Sequence, residues 1–218
     1  MSDALAERLG KIDTCAVSDA MDRHGLKGVA YGIKPQWPGP RIAGRVVTVR
    51  LVAARPGQTA ARHLCTEAIM VSKPGEIIVV ENHARYDAAG WGGILSNGAQ
   101  MQGVAGVIVD GAARDIDESR DLKFPVYARS GIPSTARGRI IEEATNVPVT
   151  IDGVSVHPGD LVLADWSGIV FLPADRAEEV LKTAEDIAAR EALMTKDVRA
   201  GKPITEVMGI NYEQMLHK

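Results

Sequence analysis

The chain has 218 residues, 45% of them hydrophobic, enough to bury a substantial core in one domain with a tail. A formal charge of −3 leaves no basic footprint for nucleic acid, and no apolar run approaches the length of a membrane span. The opening MSDALAERLG is amphipathic and lacks the apolar core of a signal peptide, and Cys15 and Cys65 have no metal-like spacing, so the expectation is a cytoplasmic protein with two reduced, packed thiols.

Residues 3–10 predict a first helix. Asp13 or Thr14 caps a second, with Val17 and Met21 on its buried side and Gly25 as its stop. Residues 26–43 cluster glycine and proline around Gly32-Ile33-Lys34-Pro35 and read as a long loop. Val46 to Ala53 alternates as a strand and Pro56-Gly57 turns the chain. Thr59 opens a helix through Met70 that buries Leu64, Ala68 and Ile69. After the Pro74-Gly75 turn, Glu76 to Glu81 is a compact buried strand, and Asn82 to Ala89 reads as a polar loop.

The stretch 90–118, GWGGILSNGAQMQGVAGVIVDGAARDIDE, organises the rest. A glycine-lined turn leads into a helix that begins near Gly93 and continues through Ile94, Leu95, Ala99 and Gln102, its first free N–H groups pointing back toward Gly92. Gly103 and Gly106 break it. Val104 to Val109 is β-branched and nearly all apolar, the pattern of a strand covered on both faces, and Asp110-Gly111 ends it just before Arg114 and Asp115. With the helix folded back along the strand, a helix start, a guanidinium and a carboxylate come to one end. The helix start offers oriented N–H donors to a carboxylate. Arg114 grips a carboxylate or oxyanion through its planar fork. Asp115 suits a hard divalent cation, which polarises a neighbouring carbonyl. Such a set fits a small α-keto acid and an enolate-like transition state. The same residue types also make a helix cap beside a surface ion pair, and on residue types alone that plainer reading is favoured.

Downstream, Phe124 to Ala128 is a short strand and Ser130 to Gly138 loop. Val147 to Val156 and Leu161 to Leu172 are strands punctuated by the turns Asp152-Gly153 and His157 to Asp160, an antiparallel signal. Asp175 caps a long helix to about Arg199 with Val180, Ala184, Ile187 and Ala188 on one face, and Pro203 breaks it. Ile204, Val207, Met208 and Tyr212 continue at helical spacing in a tail expected to pack on a neighbouring subunit. Other candidates weigh less. The five histidines are scattered, and His83, nearest the centre by sequence, reads as a polar loop residue. Lys73 and Lys123 lie in turn-rich positions unsuited to a Schiff base. Glu142-Glu143 and the run Asp117, Glu118, Asp121 read as solvated faces. Gly90-Trp91-Gly92 fails as a dinucleotide fingerprint, because Leu95 stands where a third glycine belongs.

The runs G-W-G-G-I-L and G-V-x-G-V-I-V-D-G-x-x-R-D resemble the RraA-like family, which includes the class II 4-hydroxy-4-methyl-2-oxoglutarate / 4-carboxy-4-hydroxy-2-oxoadipate aldolases and the RraA regulators of ribonuclease E. DTCAVSDAMDRHG resembles that family's opening helix and PGDLVLADWSGIVFLP its closing hairpin, so the likeness covers most of residues 12–173. The resemblance implies an α/β fold of layered β/β/α type like the swivelling domains, with an RraA-like domain over 1–175 and a C-terminal helix and tail over 176–218 that packs on the domain or on a neighbouring subunit. It further implies a homotrimer or homohexamer with the active site between subunits. Carried over by residue, it puts substrate carboxylate binding on the backbone of Gly92, Gly93, Ile94 and Leu95, substrate binding and catalysis on Arg114, and catalysis and the metal on Asp115. The cation is Mg2+ or another such as Mn2+. The implied reaction is metal-dependent retro-aldol cleavage of a 4-hydroxy-2-oxo diacid to pyruvate and a second keto acid, with oxaloacetate decarboxylation as a side activity. The alternative is a non-catalytic, protein-binding regulator of the ribonuclease E inhibitor type. The chain departs from the family pattern at Glu81-Asn82-His83, at Ser96 where alanine is usual, and at Trp166 where acidic residues are frequent. Arg85 and Tyr86 are candidates to narrow the cleft or add an anion contact.

Overall fold

Residues 3–58 and 62–209 are described by a computed structural model. Two helices open the chain, α1 (Ala4–Leu9) and α2 (Thr14–Arg23). Asp3 accepts from the N–H groups of Leu5 and Ala6, and Asp13 from that of Ala16. Val17 and Met21 are buried as their spacing predicted, and Gly25, at φ 66°, lets the chain leave α2. Cys15 is exposed rather than packed, while Cys65 is buried.

The segment 26–43 is not all loop. It contributes two-residue strands β1 (Val29–Ala30) and β2 (Lys34–Pro35), which pair with residues 169–170 and 127–128. Partners so distant leave no local pattern to read. β3 (Ile42–Ala53) begins before Val46, because its first residues have a partner of their own: Ile42 to Arg45 pair antiparallel with residues 161–164, and Val46 to Arg50 pair parallel with residues 77–81. One strand thus belongs to two layers.

The expected helix from Thr59 is shorter. Thr59 and Tyr212 lie outside the described residues. α3 (Thr66–Val71) starts only after Cys65, which is left-handed at φ 63° and donates its N–H to the Glu142 carboxylate. β4 (Ile77–Ala89) runs through the expected loop at 82–89. His83 and Ala84, at φ 50° and 54°, bulge the strand, and pairing resumes at Arg85 and Ala89. After α4 (Gly93–Gln102), β5 (Gly106–Ala113) likewise passes Asp110-Gly111, with Gly111 at φ 155° taking up the register shift. α5 (Ile116–Asp121) leads to β6 (Val126–Gly131), which extends beyond Ala128. β7 (Ile140–Thr145) went unread because its glutamates looked solvated; the Glu142 side chain is only 4% exposed and serves Cys65. β8 (Val149–Ile151) and β9 (Val154–Val156) form a hairpin across Asp152-Gly153, both at positive φ. β10 (Leu161–Ala164) and β11 (Ile169–Leu172) are two antiparallel strands rather than one. α6 (Ala177–Arg199) follows Arg176 rather than an Asp175 cap, and α7 (Ile204–Val207) follows Pro203.

Among the described residues, nine strands share a sheet in the order β1-β11-β10-β3-β4-β5-β6-β2, with β7 also on β3. The run β3-β4-β5-β6 is parallel, and all eight residues of β5 are buried. α3, α4 and Phe124 cover one face of this run, while β8, β9 and the β10–β11 pair help bury the other. α1, α2 and α6 close the far side over Leu161, Leu163, Val170 and Leu172. The result is the mixed α/β, layered architecture that the patterning and resemblance implied. No helix among the described residues is long and apolar enough to cross a membrane.

Asp165, after β10, pins α2 to this frame. Its carboxylate accepts from the Thr14 N–H at 3.0 Å, the Thr14 hydroxyl at 2.7 Å and the Ser167 N–H at 2.8 Å. Burial pushes this carboxyl up, but the bonds from Thr14, Ser167 and Gly168 outweigh it and hold it below the usual carboxylate range. A depressed folded value means that its stabilisation is complete above the unfolded value of about 3.9 and is lost as pH falls through the folded one. Asp165→Ala is expected to cost about 2 kcal/mol at pH 7. In urea titrations the gap between the two proteins should close in acid below the unfolded value.

Candidate functional site

In an open α/β sheet the crevice beyond the carboxyl ends of the parallel strands is the usual ligand site. Here the exits of β4 and β5 meet. β4 leads through Gly90, Trp91 and Gly92 into α4, and β5 leads through Arg114 and Asp115 into α5. The Arg114 N–H bonds the Trp91 carbonyl at 3.0 Å, which ties the two exits together.

Asp115 is left-handed at φ 56°, ψ 42° and makes no side-chain cap on its own helix. Its carboxylate instead reaches the start of α4, where Oδ2 accepts the Gly93 N–H at 2.9 Å. Arg114 Nε lies 3.4 Å from the same oxygen, and both side chains are 40% exposed. Two glycines permit this approach. A Cβ on Gly92 would stand 2.9 Å from Asp115 Oδ2 and 3.3 Å from Arg114 Nε. One on Gly93 would collide with the Glu118 carboxylate and meet Asp115 Cβ at 3.1 Å. Glu118 is therefore not merely a solvated face: it packs over Gly93 and accepts from Asn97 Nδ2 at 2.8 Å.

The four backbone positions 92–95, Arg114 and Asp115 line one cavity of about 100 Å3, with His63, Trp91 and Thr135 among the other walls. The Gly93 amide is engaged by Asp115. Among the described residues, the amides of Ile94 and Leu95 in the same first turn have no acceptor, as the first N–H groups of a helix do unless capped. The Ile94 side chain is 86% exposed, so its contribution to the cavity is main-chain. Asp115 Oδ1 is likewise outside every hydrogen bond and ion pair described above. A single free carboxylate oxygen beside a cavity with room for water fits Mg2+, which keeps several waters. No group of three or more His, Cys, Asp or Glu able to hold a metal occurs among the described residues, so a closed, protein-only cage is not available here.

A buried hydroxyl relay holds the two helix starts in register. Trp91 Nε1 donates to Ser96 Oγ at 2.9 Å, and Ser96 Oγ lies 2.9 Å from Ser119 Oγ. Trp91 also stacks on Phe124 at a centroid distance of 6.2 Å. Ser96 is thus no small departure from alanine in this chain. Cys65 lies behind the site, its thiol pushed up by burial and by Glu142, which makes it packing rather than a nucleophile.

Outside Arg114 the cavity opens into a chamber of about 570 Å3 that shares His63, Leu64, Arg114, Thr135 and Ala136 with it. His63, Thr135 and Ala136 were not legible as site residues, since they arrive from segments remote in sequence. His83, Arg85 and Tyr86 line neither space; Arg85 is held by Asp87 at 2.6 and 2.8 Å.

Residues 14–171 match a family model described as RraA-like, Aldolase/RraA. A 4-hydroxy-4-methyl-2-oxoglutarate aldolase of Thermus thermophilus is 32% identical over 133 residues, 61% of this chain and 76% of that protein. Protein DlpA of Legionella pneumophila is 27% identical over 93% of this chain, but the chain spans only 33% of DlpA's length. Among solved structures, RraAS2 of Streptomyces coelicolor, described as an unusual member of the RNase ES inhibitor RraA protein family, superposes with a TM-score of 0.80 at 25% identity, covering 88% of this chain and 96% of that one.

Ser96→Ala would leave the buried Trp91 indole N–H without an acceptor. It is expected to cost about 1–3 kcal/mol, read as a lower urea midpoint with an unchanged slope.

Proposed function

The chain belongs to the RraA-like family, and from that premise we propose that it is a divalent-cation-dependent carbon–carbon lyase, cleaving a 4-hydroxy-2-oxo diacid to pyruvate and a second keto acid. The observation that carries the reading is the convergence on one cavity of Arg114, Asp115 and the free amides of Ile94 and Leu95. A relative named 4-hydroxy-4-methyl-2-oxoglutarate aldolase supports the reaction class.

In this reading the substrate carboxylate takes the Ile94 and Leu95 amides, at the positive end of α4. Arg114 holds the 2-oxo oxygen and a water beside it. That water accepts the proton of the 4-hydroxyl, the C3–C4 bond breaks, and its electron pair passes to C3 and the 2-oxo group as pyruvate enolate. Protonation at C3 releases pyruvate, and the second fragment departs as a keto acid. Asp115 would hold Mg2+ or Mn2+, which supplies Lewis acidity for the charge developing on the 2-oxo oxygen. Oxaloacetate would lose carbon dioxide through the same enolate. The proposal extends to a cytoplasmic homotrimer or homohexamer, with the segment 176–218 packed on its own domain or on a neighbour. A second reading, a protein-binding regulator of the ribonuclease E inhibitor type, draws on the likeness to RraAS2.

With Mg2+, the protein is expected to release pyruvate from oxaloacetate and from a 4-hydroxy-2-oxo diacid, and EDTA should abolish both. Asp115→Ala should remove the metal-dependent turnover without unfolding the chain, and Arg114→Ala should lower kcat by about a hundredfold or more. Unchanged turnover in Asp115→Ala would refute the assignment. Activity that resists chelation and is trapped by borohydride would point to a lysine instead. A folded protein inert toward both acids would favour the regulator reading.

A further inference from the structure

The outer chamber has a one-sided charge. Three arginines line it, Arg62, Arg114 and Arg137, and among the described residues no Asp or Glu does. Two of the three have acids to answer them: Arg62 pairs with Glu67 and Glu142, and Arg114 faces Asp115. Arg137 has none. Its backbone N–H bonds Thr135 Oγ1 at 3.2 Å, and its guanidinium makes no ion pair or hydrogen bond among the described residues. The chamber also has an apolar side, where Leu64 and Ile140 are 6% and 3% exposed. A space with surplus guanidinium charge and an apolar wall suits a short carbon chain that ends in an anion.

The two volumes say which part of a ligand belongs there. The inner cavity, of about 100 Å3, is matched to the 2-oxo acid end, while the outer chamber, of about 570 Å3, has room for everything beyond C3. We infer that the outer chamber is the subsite for the second carboxylate of a diacid substrate, and that Arg137 is the specificity-determining residue that reads it. The inference rests on the reaction proposed above, because the inner end must hold the 2-oxo acid for the second carboxylate to reach this wall. Arg62 adds to the field but spends its donors on Glu67 and Glu142, whereas among the described residues the Arg137 fork has no partner to satisfy first.

Two non-cleaved acids test this without turnover. 2-Oxoglutarate and 2-oxopentanoate share the 2-oxo acid end and differ in closing on a carboxylate or a methyl. In calorimetric titrations with Mg2+ present, the wild-type protein is expected to prefer 2-oxoglutarate by about tenfold or more. Arg137→Ala, at an exposed position with no side-chain partner among the described residues, should erase that preference by weakening 2-oxoglutarate alone, and Arg137→Lys should restore part of it. Equal weakening of both acids, or an undiminished preference in Arg137→Ala, overturns the assignment. If the wild type binds neither acid, the proposed reaction falls along with the subsite. If it cleaves the diacid yet shows no preference in the titration, only the subsite falls.

Discussion

The arrangement depends on a close approach between the start of α4 and the exit of β5. Gly92 and Gly93 leave no side chain in the gap, and Asp115 fills it from the other side, its carboxylate on the Gly93 amide. A carboxylate at a helix N-terminus is favoured by about 0.3–1 kcal/mol where the site is partly exposed, which helps offset the left-handed backbone that aims Asp115 there. The same bond uses only one of the first-turn donors and one carboxylate oxygen. What is left over, two amides and one oxygen beside a guanidinium, is what a keto acid and a hard cation require.

That gap is kept in shape by neighbours that do no chemistry. Trp91, Ser96 and Ser119 link the two helix starts through buried hydroxyls, and the fully buried β5 fixes where Arg114 and Asp115 emerge. A buried polar relay that is fully satisfied resists relaxation, because breaking any bond leaves an unpaired group in a low-dielectric interior. Site geometry and core packing are therefore one problem in this chain. β3 extends the same logic outward, since by serving an antiparallel and a parallel layer it locks the helical pair α1 and α2 to the sheet that carries the site.

Much of this could be read from the residues where the information is local. The helix beginning at Gly93, the buried strand before Arg114, the cap at Asp13 and the hairpin at Asp152-Gly153 all announce themselves within a few positions. Several of the readings that failed involve distant partners. β1 and β2 pair with strands far along the chain, and β7 hides behind glutamates that turn inward to serve Cys65 and Arg62. The bulges at His83-Ala84 and Gly111 carried β4 and β5 through stretches that polar and glycine signals marked as loop. In the site the same division holds: Arg114 and Asp115 stood out by their place after a strand, whereas His63 and Thr135 reach the cavity, and Arg137 the outer chamber, only through the tertiary fold.

Relatives on this fold carry names of two kinds, an aldolase and an unusual member of the RNase ES inhibitor RraA protein family. What separates them for this chain is whether the leftover donors beside Asp115 meet a ligand. The most direct measurement is a crystal structure of the protein with Mn2+ and oxalate, a planar mimic of pyruvate enolate. The proposed site predicts an anomalous manganese peak at Asp115, with an oxalate oxygen within hydrogen-bonding distance of the Ile94 and Leu95 amides and Arg114 on the ligand. Oxalate and manganese bound together at another place, with the Asp115 carboxylate still on Gly93 and the two amides bare, would contradict it.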